Sequence, residues 1–125
     1  PGDADAIAAA LREAEEEIAL PRELVRVVGT SDPYKTFTGF DIMPVVGVIP
    51  PDLSLAPHEQ EVESVFELPL DFAMHPRNRA RKTMEFQGTV RPYYEINWQD
   101  YRIWGVTAAI LVNLSRRLGY SADDV

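Results

Sequence analysis

The alternation of apolar and polar positions predicts a helix, then several strands, then a second helix. Within residues 5–18 one apolar stripe repeats at steps of four, three and four, and consists of Ile7, Leu11, Ala14 and Ile18. This spacing is typical of one face of an α-helix. Pro21 ends the segment, because proline cannot extend the helical hydrogen-bond ladder and disfavours helical geometry in the residue before it.

The middle of the chain carries the strand signals. The run FDIMPVVGVI at residues 40–49 is bounded by Gly39 and Pro50, which predicts a largely buried strand. Gly88 separates two β-rich stretches and predicts a hairpin. The predicted strands are residues 24–28, 40–49, 61–70, 83–87, 90–98 and 101–104, and residues 71–83 are predicted to form a polar, irregular segment.

A second amphipathic helix is predicted over residues 106–118, with Gly119 as its end. No repeat or linker interrupts the sequence. Together these elements predict a mixed α/β fold in a single domain over residues 1–125.

Composition and charge exclude several classes of function. The 125 residues are 46% hydrophobic and 26% charged, with a formal net charge of −8 and no cysteine. An anionic surface disfavours non-specific binding to nucleic acid or to an anionic membrane. The absence of cysteine excludes disulfides and thiolate chemistry, and together with the lack of a signal-like start it favours a cytoplasmic location.

One charge pattern is unfavourable for the helix that contains it. Glu13, Glu16 and Glu17 share an arc of roughly 100° opposite the apolar stripe, and like charges at i, i+3 and i, i+4 repel. They also occupy the last turns, where the helix dipole favours cations. A solvated acidic face is the simple explanation. A hard divalent cation is the alternative, because it binds carboxylate oxygens and reverses the sign of each of these effects. Arg12, four residues before Glu16, is then positioned to orient that carboxylate.

These residues resemble the second half of the Nudix box. The box reads glycine, five residues, glutamate, seven residues, Arg-Glu-apolar, one residue, Glu-Glu, one residue, glycine, apolar. Here its elements are Arg12-Glu13-Ala14 and Glu16-Glu17. Two positions depart from the pattern: Ala4 stands at the first glutamate and Ala19 at the late glycine. The first glycine would precede residue 1.

Further segments are similar to the coenzyme A pyrophosphatase branch of the Nudix hydrolases, namely residues 36–53, 61–72 and 102–111. The resemblance implies an α/β/α sandwich with a mixed sheet. The arginine-rich coenzyme A motif and the Phe-Pro-Gly-Gly of that branch would lie upstream of the box, so we expect a domain that lacks its amino-terminal strands. An open sheet edge of that kind invites association, which makes a homodimer an expectation.

The implied activity is hydrolysis of coenzyme A, a small-molecule nucleotide substrate, to 3′,5′-ADP and 4′-phosphopantetheine with Mg²⁺ or Mn²⁺. The expected metal ligands are Glu13, Glu16 and Glu17, with Glu13 and Glu16 also expected to be catalytic. A base or further ligand often comes from a distant loop in this superfamily, and Glu61 is our candidate, with Glu59 and Glu63 as alternatives.

The segment HPRNRARK at residues 75–82 places four cations in an otherwise acidic protein. Arginine forks match phosphate oxygens, so we expect a patch for the 3′-phosphate of coenzyme A, formed by Arg77, Arg79, Arg81 and Lys82. A mobile solvated loop is the competing interpretation. Two other functions also remain open: a Nudix hydrolase of another nucleotide such as ADP-ribose, and a non-catalytic acidic module that binds a partner protein.

Overall fold

The computed structural model describes residues 5–36, 39–60 and 65–120. In these ranges the helices are α1 (Ala6–Ile18), α2 (Leu70–Met74) and α3 (Gly105–Arg117). The strands are β1 (Arg26–Thr30), β2 (Tyr34–Lys35), β3 (Asp41–Ile42), β4 (Val45–Val48), β5 (Arg79–Phe86), β6 (Thr89–Trp98) and β7 (Tyr101–Trp104), with short 3-10 helices at Arg22–Leu24 and Pro76–Asn78. The predicted mixed α/β class is confirmed.

The chain divides into two compact units. The first comprises Pro1–Pro33 and Ile42–Glu67, and the second comprises Tyr34–Asp41 and Leu68–Val125. The strands pair as β1-β4, β2-β3 and β5-β6-β7, and the β1-β4, β5-β6 and β6-β7 pairs are antiparallel. Among the described residues, none of the helices combines the length and apolar character needed to cross a membrane.

The first helix forms where the apolar stripe predicts it. The Asp5 carboxylate accepts a hydrogen bond from the Ala8 N–H at 2.8 Å and so caps the first turn. At the other end Ala19 adopts left-handed geometry, with φ 58° and ψ 37°. Its N–H donates to the Glu15 carbonyl at 3.1 Å, and the Leu20 N–H donates to the Ala14 carbonyl at 3.3 Å. The chain therefore terminates α1 as a glycine would, although the residue is alanine.

The left-handed alanine gives a prediction about stability. Ala19→Gly should raise the free energy of unfolding by about 1 kcal/mol, because glycine adopts positive φ without the steric cost that a Cβ imposes. Ala10→Gly, inside the same helix, is the control and should lower it by about 1 kcal/mol. Denaturant unfolding measures both. Equal losses of stability in the two variants would contradict the observed helix end.

The first predicted strand is displaced by two residues. The sequence predicts residues 24–28, but the strand is Arg26–Thr30, because a 3-10 turn follows Pro21 and the Leu24 N–H donates to the Pro21 carbonyl at 3.1 Å. β1 pairs with β4 from Arg26 opposite Val48 to Thr30 opposite Val45, with an irregularity between Val27 and Gly29. The strand prediction is therefore right in kind and wrong in position.

The continuous buried strand predicted over residues 40–49 is wrong. Two strands, Asp41–Ile42 and Val45–Val48, flank Pro44, which has no N–H for a ladder; the Pro44 carbonyl instead accepts from the Ser31 N–H at 3.0 Å. Phe40 is 70% exposed and Val48 49% exposed. The apolar run therefore remains largely uncovered in the part of the chain that the structure describes.

Residues 65–83 also depart from the prediction. Residues 61–64 of the predicted strand lie outside the described residues, and residues 65–69 form no regular element. Pro69 has φ −56° and precedes α2, so the strand predicted to reach residue 70 is wrong at its described end. The irregular segment predicted over residues 71–83 is also wrong, because it contains α2, a 3-10 helix and the first half of β5.

The predicted hairpin is confirmed. β5 and β6 pair from Arg79 opposite Ile96 to Phe86 opposite Thr89. The two turn residues, Gln87 and Gly88, both have positive φ, at 51° and 77°. This is the backbone of a type I′ turn, whose twist matches that of the flanking strands. β7 pairs with β6 at the predicted residues and completes a three-stranded sheet.

The core of the second unit lies between this sheet and α3. Ile96, Ile103 and Ala108 form its buried centre, and the side chains packed around them are Leu68, Phe72, Tyr94, Trp98 and Leu111. α3 agrees with the predicted helix within one residue at each end. At its end Gly119 has φ 93°, its N–H donates to the Arg116 carbonyl, and the Tyr120 N–H donates to the Ser115 carbonyl. This is a Schellman cap, as the glycine predicted.

Candidate active site

The glutamate face of α1 is solvent-accessible. The Glu13 and Glu16 side chains are each 57% exposed, and Glu17 is half-buried. The Arg12 guanidinium donates from Nη1 to Glu16 Oε2 at 3.1 Å, and its Nη2 lies 3.8 Å from Glu13 Oε1. The arginine is therefore beside both carboxylates, and the orienting role assigned to it stays a prediction.

Glu15 belongs to a different surface of the helix. Its Oε1 accepts from Arg22 Nη2 at 3.1 Å. An ion pair on the surface offsets the charge of this glutamate locally. Glu15 therefore offers a natural comparison for the three carboxylates of the glutamate face, since it has the same charge on the same helix.

A loop closes the carboxyl end of α1. The Ala56 N–H donates to the Ile18 carbonyl at 3.0 Å, and the His58 N–H donates to the Glu17 carbonyl at 2.7 Å. Two of the carbonyl groups that a helix end leaves without intrahelical partners are thereby satisfied. The same contacts fix residues 56–58 at this helix end, and Glu59 directly follows them in the chain. Glu61 and Glu63 lie outside the described residues.

The fit of these residues to a metal ion is partial. Carboxylate oxygens are the donors that Mg²⁺ and Mn²⁺ prefer, and α1 offers them from one face. Within the ranges that the structure describes, however, no three His, Cys, Asp or Glu side chains lie close enough together to hold an ion. Arg12 also occupies one oxygen of Glu16. The assignment of Glu13, Glu16 and Glu17 as ligands therefore stays a prediction.

Three of the four cations of residues 75–82 are divided between the two faces of β5, and the fourth lies outside the strand. Arg77 lies in the 3-10 helix, and the other three lie in β5. Successive strand residues point to opposite faces, so Arg79 and Arg81 share one face and Lys82 points to the other. The strand interrupts the predicted mobile loop, and no single patch contains all four side chains.

Lys82 is engaged with a buried carboxylate that the sequence analysis missed. Glu95 is 4% exposed, and its carboxylate accepts hydrogen bonds from Lys82 Nζ and Arg102 Nε, with Asn97 Nδ2 at 3.5 Å. The Lys82 hydrogen bond, followed by that of Arg102, lowers the pKa of Glu95 to about 2. A substrate role for Lys82 stays a prediction, and it would compete with this internal ion pair.

Arg79 is held against α3. Its Nη1 donates to Ser115 Oγ at 2.8 Å, and Ser115, which is fully buried, donates to the Val112 carbonyl at 2.7 Å. Burial, and secondly the charge of Arg116, lower the pKa of Arg79. Arg116 Nη2 in turn donates to the Tyr94 hydroxyl at 3.1 Å. Arg116 and Tyr94 were missed because they are distant from residues 75–82 in sequence.

A model of the NUDIX domain matches residues 1–93 of the chain. The chain therefore belongs to the Nudix family. Among its relatives is the uncharacterized Nudix hydrolase NudL of Escherichia coli (strain K12), which is 43% identical over 117 residues that cover 94% of this chain and 61% of that protein.

The proteins of the same name from Enterobacter sp. (strain 638) and Escherichia coli O1:K1 / APEC are 43% identical over 122 residues and 42% identical over 117 residues, at the same coverage of 94% and 61%. The chain thus spans about three fifths of the length of these relatives.

Proposed function

We propose that the chain acts as a divalent-metal-dependent hydrolase of the pyrophosphate bond in a nucleoside diphosphate derivative. The observation that carries this proposal is the glutamate face of α1, which lies inside the region matched by the NUDIX domain and presents accessible carboxylates beside Arg12. The relatives named as Nudix hydrolases support the same class of reaction.

In this proposal Glu13, Glu16 and Glu17 hold Mg²⁺ or Mn²⁺, and Arg12 orients the Glu16 carboxylate. When bound, the ion neutralises charge on the diphosphate and lowers the pKa of the attacking water. Glu61 accepts the proton of that water, with Glu59 and Glu63 as alternatives. Glu59 gains support from the hydrogen bond that fixes the adjacent His58 backbone at the end of α1.

The substrate that we propose is coenzyme A, cleaved by water to 3′,5′-ADP and 4′-phosphopantetheine. Support comes from the segments at residues 36–53, 61–72 and 102–111 that resemble the coenzyme A pyrophosphatase branch. Arg77, Arg79, Arg81 and Lys82 are the proposed contacts to the phosphate groups of the substrate, and Lys82, which lies on the opposite face of β5 from Arg79 and Arg81, would contact a different phosphate group from them. We further propose that the chain forms a single domain, that the protein is a homodimer, and that it is located in the cytoplasm.

Product analysis tests the substrate. The protein is incubated with coenzyme A, ADP-ribose or a dinucleotide, in Mg²⁺ and in EDTA, and the products are separated by chromatography. We expect 3′,5′-ADP from coenzyme A in Mg²⁺ and none in EDTA. Preferential cleavage of ADP-ribose would retain the reaction class and replace the substrate. No cleavage of any of them would favour a non-catalytic acidic module.

A further inference from the structure

We propose that Arg79, Arg81 and Arg116, together with the Tyr94 hydroxyl, form a binding site for the phosphate group of a phosphomonoester. These side chains come from β5, β6 and α3 of the second unit. The site shares two arginines with the proposed substrate contacts. This inference depends on the proposed function in one respect only, namely that the bound phosphate group is part of the substrate.

The first support is that a buried serine positions Arg79. Its Nη1 is used by Ser115, whose hydroxyl has already donated to a main-chain carbonyl. A guanidinium has five N–H donors in a fixed plane, so the fully buried serine sets the orientation of Arg79 and leaves further donors for a ligand. After burial, the charge of Arg116 is the next cause of the lowered pKa of Arg79.

The second support is the arrangement of the other groups around Tyr94. Arg81 lies directly opposite Tyr94 in the β5-β6 ladder, on the same face as Arg79, and directly opposed residues have their Cβ atoms about 5 Å apart. The Tyr94 oxygen accepts from Arg116, which leaves the hydroxyl proton free to donate to an anion. Arg81 and Arg116 are both exposed, so a ligand can reach them.

The ligand class follows from these donors. The charge of Arg116 acts unfavourably on Arg79, and a compact dianion would offset the positive charge of these guanidinium groups, since arginine forks match the oxygens of a phosphate group. A neutral sugar or base supplies no such compensation. The competing explanation is structural: Arg116 lies in the last turn of α3, where a cation interacts favourably with the helix dipole.

Calorimetric titration in the absence of divalent metal separates these explanations. Inorganic phosphate and adenosine monophosphate are titrated against the protein at constant ionic strength, with adenosine as the phosphate-free comparison. We expect both phosphates to bind and adenosine not to bind. Arg116→Gln should weaken phosphate binding by about tenfold, since it removes a charge-assisted contact. Tyr94→Phe should weaken it by a smaller factor.

Arg117→Gln is the matched control, because it removes the same charge from the next residue of α3. A structural role would lower the melting temperature in both variants without changing their affinity for phosphate. The proposal is overturned if Arg116→Gln and Arg117→Gln bind phosphate equally, or if millimolar phosphate does not bind the unmodified protein. Circular dichroism confirms that each variant is folded. This titration uses neither divalent metal nor catalytic turnover. A negative result would therefore overturn the phosphate site without contradicting the proposed hydrolysis, which the product analysis tests separately.

Discussion

Glu17→Gln is expected to lower Mg²⁺-dependent turnover of coenzyme A by about a hundredfold or more, because a neutral amide cannot replace a charged ligand of a hard cation. Of the three carboxylates on the glutamate face, Glu17 gives the most specific test of a metal role. Its main-chain carbonyl is fixed by the His58 N–H at 2.7 Å, so the substitution alters a side chain on an anchored helix end. Initial rates of 3′,5′-ADP release, measured across a range of Mg²⁺ concentrations, report the loss.

Glu15→Gln is the control for this prediction. It removes the same charge from the same helix, but Glu15 pairs with Arg22 at 3.1 Å and takes no part in the proposed metal site. We expect its turnover to stay within about twofold of the unmodified protein, with at most the small stability change of a surface ion pair. Equal activity in both variants, together with no Mg²⁺ or Mn²⁺ uptake by calorimetry, would refute a metal role for the glutamate face.

The elements that sequence predicts well are those with signals confined to neighbouring residues. The apolar stripe of α1 repeats within one helix, and the end of α3 follows from a single glycine in left-handed geometry. The hairpin follows from Gly88, whose positive φ suits a two-residue turn. In each case the physical cause lies within a few residues of its effect, so the sequence pattern contains it.

The burial of a segment is harder to predict from sequence than its local structure, because burial depends on which other segments pack against it. The apolar run at residues 40–49 has the composition of a buried strand, yet Phe40 and Val48 are exposed and Pro44 divides the run. The position of Pro44 was visible in the sequence, and a ladder interruption there was predictable. The exposure was not, because it depends on which other segments cover this one.

The residues of the candidate site show the same contrast between local features, which the sequence pattern contains, and contacts between distant segments, which it does not. The acidic face of α1 and the neighbour Arg12 are local features, and the structure places Arg12 beside Glu16 as the i, i+4 spacing suggests. The sequence predicts one patch for the four cations of residues 75–82, but strand alternation separates Lys82 from Arg79. Glu95, which pairs with Lys82, and Arg116, whose charge acts on Arg79, are brought near this segment only through strand pairing and helix packing.

Glu95→Gln is expected to lower the melting temperature at pH 7 by roughly 5–10 °C, because a neutral amide no longer balances the charges of Lys82 and Arg102. The side chain is 4% exposed and accepts from both cations. The expected loss in melting temperature includes values as small as about 5 °C because the Lys82 and Arg102 side chains are about half exposed, so solvent partly screens their charges. Differential scanning calorimetry measures the change.

The difference in melting temperature between Glu95→Gln and the unmodified protein should depend on pH, and this dependence shows whether the charge of Glu95 causes it. The ordinary pKa of Glu95 is 4.5, and hydrogen bonds from Lys82 and Arg102 lower it to about 2 in the folded protein. Its stabilisation is therefore fully present above pH 4.5 and is lost as the pH falls towards 2. The gap in melting temperature between Glu95→Gln and the unmodified protein should narrow over this interval. Glu85→Gln, at an exposed position of β5, is the surface control and should change the melting temperature at pH 7 only slightly. A constant gap for Glu95→Gln would assign its effect to packing instead of charge.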